Sequence, residues 1–240
     1  MTVKTKIAIA VFALIFSLGS VTRSQVFVLA GYQLAHAPVP DLNFIHGRYN
    51  ETRSWLADTM SRVKILHGPL LYVHAPFSDR FYFAAAWTYL HQREFAQGIP
   101  TGSVNPAERQ VRFRVNTRKI GLGMYLTGGI IRIGFGTSLD FGSIQYHTRS
   151  AANATLIGDE KWTKVVGKFT IASSLNMLIH AAITEKVVFM ISPFAQFQWW
   201  QTEFAPVNEA INSATSGSDP SSLKSNAKNF GASFTLGYGF

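Results

Sequence analysis

His147 and Ser150, followed by Asp159 and Glu160, are the residues whose types could carry covalent chemistry. Acyl hydrolysis needs a serine nucleophile, a histidine base and an acid that orients the base. His147 and Ser150 fall where an apolar strand gives way to a loop. Their side chains need not face each other there, and a polar loop is the simpler reading, so no catalytic residue is assigned. The seven histidines, at 36, 46, 67, 74, 91, 147 and 180, show no metal-ligand spacing such as HExxH. No metal and no cofactor is expected. The glycines of Gly121-Leu122-Gly123 and Gly134-Phe135-Gly136 alternate along strands, where they admit bulky neighbours, and do not form a phosphate-binding loop. With no cysteine in the chain, a disulfide framework, a thiolate zinc site and a cysteine nucleophile are excluded.

A second set of residues could do electrostatic work. Glu94, Arg112, Arg114, Arg132, Asp140, Lys168, His74 and His180 stand on the polar side of otherwise apolar runs. Charges enclosed in a narrow interior must be paired or hydrated. Pairs such as Arg132–Asp140, or Glu94 with Arg112 or Arg114, are the expected packing. The functional alternative is a gated narrow pore, which the excess of basic groups would bias toward anions.

The elements that position these residues alternate with a period of two, so successive side chains point to opposite faces. In the last segment Phe230, Ala232, Phe234, Leu236, Tyr238 and Phe240 share one parity, opposed by Gly231, Ser233, Thr235, Gly237 and Gly239. The same pattern recurs over 187–201, 164–182, 130–142 and 80–96, and more weakly over 63–77. Segment 109–127 reads as Val111, Phe113 and Val115 outward, then Ile120, Leu122, Met124 and Leu126 outward, a change of parity that predicts a β-bulge at 117–119. With 25–34 as a first strand, the count is eight. The connections alternate between short (near 78–79, 128–129 and 184–186) and long (about 35–62, 98–108, 148–162 and 204–228). The expected fold is all-β, an eight-stranded antiparallel transmembrane barrel with its short turns at one end and its long loops at the other.

The 240-residue chain is 47% hydrophobic and 15% charged, yet no apolar run reaches the length of a membrane helix, apart from the question of its N-terminus. A closed barrel is the other way to span a bilayer. Residues 1–24 read as a secretory signal peptide, with Lys4 and Lys6 before an apolar stretch from Ile7 to Leu18. Residues 25–240 then form the barrel. That leader holds three basic groups and no acid, so its removal takes the formal charge from +9 to +6. With the remaining basic residues scattered on an exported chain, nucleic acid is not an expected partner.

The first long connection carries Asn50 and Glu51, read as a helix start. Trp55, Leu56, Thr59, Met60 and Val63 follow at helical spacing, which predicts an amphipathic helix over about 50–62. Trp55, Leu56 and Met60 would be its interface residues. It would cover the barrel mouth, lie on the membrane surface or bind a partner.

On these features, and above all on the stretch from Phe230 to Phe240, the chain resembles the small eight-stranded outer-membrane barrels of Gram-negative bacteria, OmpA-like or PorT-like in architecture. The resemblance implies that Phe230, Phe234, Leu236, Tyr238 and Phe240 form the signal read by the barrel-assembly machinery. A cleavage just before Gln25 is similar to that of exported Bacteroidota proteins. The resemblance implies location in a bacterial outer membrane, contact with outer-membrane lipid or lipopolysaccharide, and a non-enzymatic structural or surface-interaction role, with an envelope protein as a possible partner. The alternatives it leaves open are an accessory subunit of a type IX-like secretion complex, a lipid-modifying rim hydrolase and a narrow pore. The spacing His-Thr-Arg-Ser at 147–150 departs from the His-x-Ser pattern of barrel deacylases.

Overall fold

The computed structural model describes residues 25–212, 223–226 and 228–240. The leader expected over 1–24 lies outside them. Strands β1 (Phe27–His36), β3 (Ile65–Pro76), β4 (Phe81–Gly98), β5 (Ala107–Tyr125), β6 (Ile131–Ala151), β7 (Thr163–Ala182), β8 (Val187–Gln198) and β11 (Lys228–Gly239) pair in the order β4-β3-β1-β11-β8-β7-β6-β5. Because β4 also pairs with β5, the sheet closes into an eight-stranded antiparallel barrel. Closure leaves no long unpaired edge, which is the physical reason such a sheet is stable with an apolar exterior.

Short turns at 77–80, 126–130 and 183–186 lie at the same end as the start of β1 and the end of β11. Gly129 has φ 95°, a left-handed conformation that favours glycine at this tight reversal. The long connections gather at the other end. The first carries helix α1 (Pro40–Glu51) and the short strand β2 (Leu56–Asp58). The last carries β9 (Thr202–Glu203), helix α2 (Ala205–Asn212) and β10 (Lys224–Ser225). Among the described residues no helix is long and apolar enough to cross a membrane, which says nothing against crossing by strands.

From the short-turn end through the middle of the barrel the outward positions are mostly apolar and exposed, Arg118 beside Trp87 and Phe141 being an exception. The apolar ones include Val28, Leu71, Phe81, Leu122, Phe135, Leu139, Leu175, Phe234 and Leu236. At mid-height the inward positions are polar, while nearer the short turns Phe27, Leu29, Tyr82, Leu178, Val188 and Met190 form a buried apolar cluster inside. Toward the long-connection end the pattern inverts. Val111, Phe113 and Val115 are buried inside, while Arg112 and Arg114 lie on the outer wall. The expected bulge at 117–119 is absent, since β5 keeps one register with both neighbours from Glu108 to Met124. The parity never changes; what changes is which side is apolar. The cause is an internal plug. From α1 come Leu42, Ile45 and Tyr49, and from α2 Val207 and Ile211. They pack with Met60, Val63, Phe204 and the inward Phe113, Val115, Ile144 and Tyr146 into one buried apolar cluster.

The helix expected over 50–62 is not formed. The helix ends at Glu51, Trp55 lies in a turn, and Leu56 pairs with Gly98 through β2. Met60 is buried in the plug from an extended segment. Asn50 is not a helix cap. Its side-chain amide donates to the Met60 carbonyl at 3.0 Å and its amide oxygen accepts from the Met60 backbone N–H at 3.0 Å. Asn43, about two turns earlier on α1, makes the same two-way contact with Val63 at 3.1 and 2.7 Å. The chain that reads as a second helix is thus clipped alongside the first one. Signals for the true helix were present: Pro40 and Asp41 suit a first turn, and Leu42, Ile45 and Tyr49 recur on one face.

Candidate functional site

The lumen divides into layers. At mid-height Asp140, with no side-chain exposure, is paired with Lys119 at 3.4 Å. Ser138 donates to one carboxylate oxygen at 2.7 Å. Gln196 at 2.5 Å and Ser174 donate to the other. Asn229 donates in turn to the Gln196 carbonyl oxygen at 2.9 Å, and Thr88 and Thr117 are hydrogen-bonded at 2.5 Å. A carboxylate held by one cation and three neutral donors has its charge satisfied in the interior. Among the described residues Lys119–Asp140 is the ion pair that forms. Lys119 is not among the expected members of the lumen network, although the outward parity of Ile120, Leu122 and Met124 turns it inward.

The other expected members are dispersed. Arg132 lies at the short-turn end and packs 5.4 Å from the Tyr125 ring centre instead of pairing with Asp140. His180 is inward and buried near it. Its ring contacts Phe27 and His74 with centroids 5.5 and 5.8 Å apart, and neither ring nitrogen has a hydrogen-bond partner. Glu94 keeps an inward parity but accepts from Gln92 at 2.6 Å, not from an arginine. Lys168 stands above the end of β8, exposed, and donates to the Gln201 carbonyl at 3.3 Å. Arg112 and Arg114 are not lumenal at all.

Below the acid, Tyr82 fills the interior. A side chain at Gly123 would come within 2.2 Å of the Tyr82 ring, and one at Gly136 within 2.8 Å of its hydroxyl. These alternating glycines therefore make room for a bulky neighbour. Two mid-lumen voids measure about 40 and about 20 Å³, room for little more than a water. A larger cavity of about 370 Å³ opens at the short-turn end, where Phe27, Arg132, His180 and Glu185 line it.

At the opposite mouth, two arginines fasten the plug. Arg53 donates to the Ile211 carbonyl at 3.1 Å and covers the Tyr49 ring at 3.8 Å. Arg109 donates to the Ala210 carbonyl at 3.4 Å. Both sit at the C-terminal end of α2, where cations are favoured. Asn212 donates to the Ile45 carbonyl at 3.2 Å and ties α2 to α1. His46 is buried between the Ser61 carbonyl at 3.2 Å and the Tyr146 hydroxyl at 3.1 Å. Burial holds its pKa down to about 4, partly offset by the Ser61 carbonyl.

The hydrolase constellation is not assembled. Strand β6 continues through Ala151, so His147 pairs with Arg112 on the outer wall and Ser150 with Arg109 on the inner side. Histidine and serine project from opposite faces of the strand. Phe230, Phe234, Leu236 and Tyr238 face outward on β11, which seals the barrel by pairing with β1 and β8, and Phe240 is exposed after it.

No family model and no curated protein matches this chain. Solved structures of similar shape include Ail, the attachment invasion locus protein of Yersinia pestis, crystallised with the heparin analogue sucrose octasulfate. It shares 8% identity, covers 90% of this chain and 99% of its own, and has a TM-score of 0.43. Neisserial surface protein A shares 11% identity over 90% of this chain and 97% of its own, with a TM-score of 0.46. The N-terminal barrel domain of Pseudomonas aeruginosa OprF shares 10% identity over 91% and 100%, with a TM-score of 0.41. The closed barrel of this chain is established by its own strand ladder, and none of the three lends it a function.

Proposed function

We propose that this chain is a non-enzymatic barrel of a bacterial outer membrane, exported by its 1–24 leader, that presents a plugged surface at its long-connection end. The observation that carries the reading is the inversion of polarity along β4–β6. Through the middle of the barrel the outer wall is mostly apolar and the lumen polar. Beyond the row Tyr89, Asn116 and Ser143 the outer wall turns to Arg93, Arg112 and His147, and the interior turns apolar. Hydrocarbon favours the first arrangement, and the headgroup region with water beyond it favours the second. A soluble barrel has no reason to expose large aliphatic side chains around its whole middle.

The plug and the tight mid-lumen network argue for a closed body over a pore. The role is structural or surface-interacting, with the exposed loops meeting an envelope partner or the surroundings. The test is threefold. The folded protein should migrate differently in unboiled and boiled samples, should need detergent or lipid, and should not conduct in planar bilayers. A chain soluble without detergent would overturn the membrane reading. Steady conductance would replace the plugged body by a pore, and stoichiometric co-purification with a secretion complex would replace the stand-alone role by that of an accessory subunit.

A further inference from the structure

We propose that the outer wall of β4–β6, just beyond the aromatic row, is a binding site for the phosphate groups of an outer-leaflet glycolipid. The site consists of Arg93, Arg112, Arg114, His147, Arg149 and Trp162.

Arg93 and Arg112 are directly paired across β4 and β5, and Arg112 is directly paired with His147 across β5 and β6. In the Arg93–Arg112 pair two like charges stand opposite one another and repel. The Trp162 ring gathers three guanidinium groups, with Arg112, Arg149 and Arg93 at 4.3, 4.7 and 5.6 Å from its centre. Aromatic contact holds these cations in place and leaves their charge uncancelled. Among the described residues no carboxylate lies within ion-pair distance of them, since the pair that forms is Lys119–Asp140 inside the lumen. Glu108, an acid on the same wall, accepts from Gln110 at 2.6 Å. Gln110 in turn accepts from Arg149 at 3.0 and 2.8 Å, so Arg149 is a fixed post. By contrast, the Nε atoms of Arg112 and Arg114 are buried without a hydrogen-bond partner. A folded wall that keeps several guanidinium groups together with no carboxylate partner is complementary to an external anion.

The position selects the kind of anion. Two outward positions along each strand from Arg93 and Arg112, past His91 and Arg114, lies the row of Tyr89 and Asn116, and next to it Trp87, whose indole N–H donates to the Asn116 side chain at 2.9 Å. Tryptophan and tyrosine sit at the headgroup level of a bilayer. The basic group therefore stands on the side wall at the height of lipid phosphates, away from the mouth where a soluble polymer would dock. Arginine forks match phosphate oxygens with paired hydrogen bonds. The inference rests on the membrane reading, and the gel-migration shift tests that reading separately.

The probe is a bis-phosphorylated lipid A-type glycolipid, added to the refolded full chain in neutral-lipid nanodiscs and read by native mass spectrometry. Binding is expected to weaken by about ten-fold or more in Arg93→Gln/Arg112→Gln, as charge-assisted contacts are lost, and by a similar factor when the glycolipid lacks its phosphates. Retained heat-modifiable migration shows that the variant is folded. If that variant does not fold, Trp162→Leu serves, since it releases three arginines from one anchor. Equal binding by wild type and a folded variant, or equal binding of the dephosphorylated lipid, would overturn the site. Inorganic phosphate or a soluble sulfated glycan that displaces the glycolipid at equal concentration would overturn its assignment to a lipid.

Discussion

Lys119 and Asp140 are directly paired neighbours across β5 and β6, and their charged groups meet 3.4 Å apart in the lumen, the carboxylate wholly enclosed. Three further donors, Ser138, Ser174 and Gln196, complete the shell of the acid. Removing one partner of such a pair leaves an uncompensated charge indoors. Asp140→Leu should therefore destabilise the barrel by about 3–5 kcal/mol, whereas Asp140→Leu with Lys119→Met should recover much of the loss. Urea titration of the heat-modifiable band measures both. A double variant no more stable than the single one would refute the pairing as the source of the effect.

Tyr82 and Gly136 meet lower in the lumen, where a Cβ on Gly136 would lie 2.8 Å from the tyrosine hydroxyl. That hydroxyl has no hydrogen-bond partner. Gly136→Ala should cost about 1–3 kcal/mol by overpacking. Tyr82→Phe removes the obstructing oxygen, and since it breaks no hydrogen bond it should be nearly neutral alone. In a double-mutant cycle the alanine should be better tolerated beside phenylalanine, and an unchanged cost would mean that the backbone, not Tyr82, limits the site.

All eight barrel strands were legible, because a period of two survives wherever one face is apolar and the other polar. The side on which the short turns fall was legible too. The error at Arg112 and Arg114 has a specific cause: the rule that apolar means outward holds only where the lumen is polar. Val111, Phe113 and Val115 face an apolar plug contributed by residues some 50–100 positions away in the sequence, and no local pattern announces that. The helix was misplaced for a related reason. Trp55, Leu56, Met60 and Val63 have helical spacing, yet Met60 and Val63 are buried as an extended segment held by Asn50 and Asn43. Asparagine in a sequence reads as a cap or a turn, and only the fold shows it standing in for a backbone neighbour. The basic wall was missed: Arg112 and Arg114 were assigned to the lumen, and only the register and the Trp162 contacts bring them together with Arg93 and Arg149 on the outside.

Asn43 and Asn50 each satisfy two backbone groups of the 60–63 segment. Asn50→Ala or Asn43→Ala should cost about 1–3 kcal/mol, the range for leaving buried polar groups unpaired. The loss should fall on the plug and leave the barrel wall intact. Trypsin cutting at Arg53, Arg62 or Lys64 is expected to accelerate about ten-fold or more for each 1.4 kcal/mol of local opening, while β-strand content stays unchanged. Equal cutting rates in wild type and both variants would show that the clips do not hold the segment.

His46 makes the plug sensitive to pH. The Ser61 carbonyl only accepts, so Nδ1 carries the proton and Nε2 accepts from the Tyr146 hydroxyl. Burial disfavours the charged ring and lowers its pKa from 6.5 to about 4. The opened segment, with an ordinary histidine, binds a proton more readily than the closed one between those values. The contribution of His46 to closure is therefore complete above pH 6.5, declines as pH falls from 6.5 to 4, and is constant below that. A depression of this size corresponds to about 3 kcal/mol over the whole window. Hydrogen exchange of the α1 amides, corrected for the intrinsic pH dependence of exchange, should show falling protection between pH 7 and pH 4.5. His46→Gln, which cannot charge, should start less protected and vary little with pH. A wild-type plug as protected at pH 4.5 as at pH 7 would mean that the ring is already accommodated as a cation.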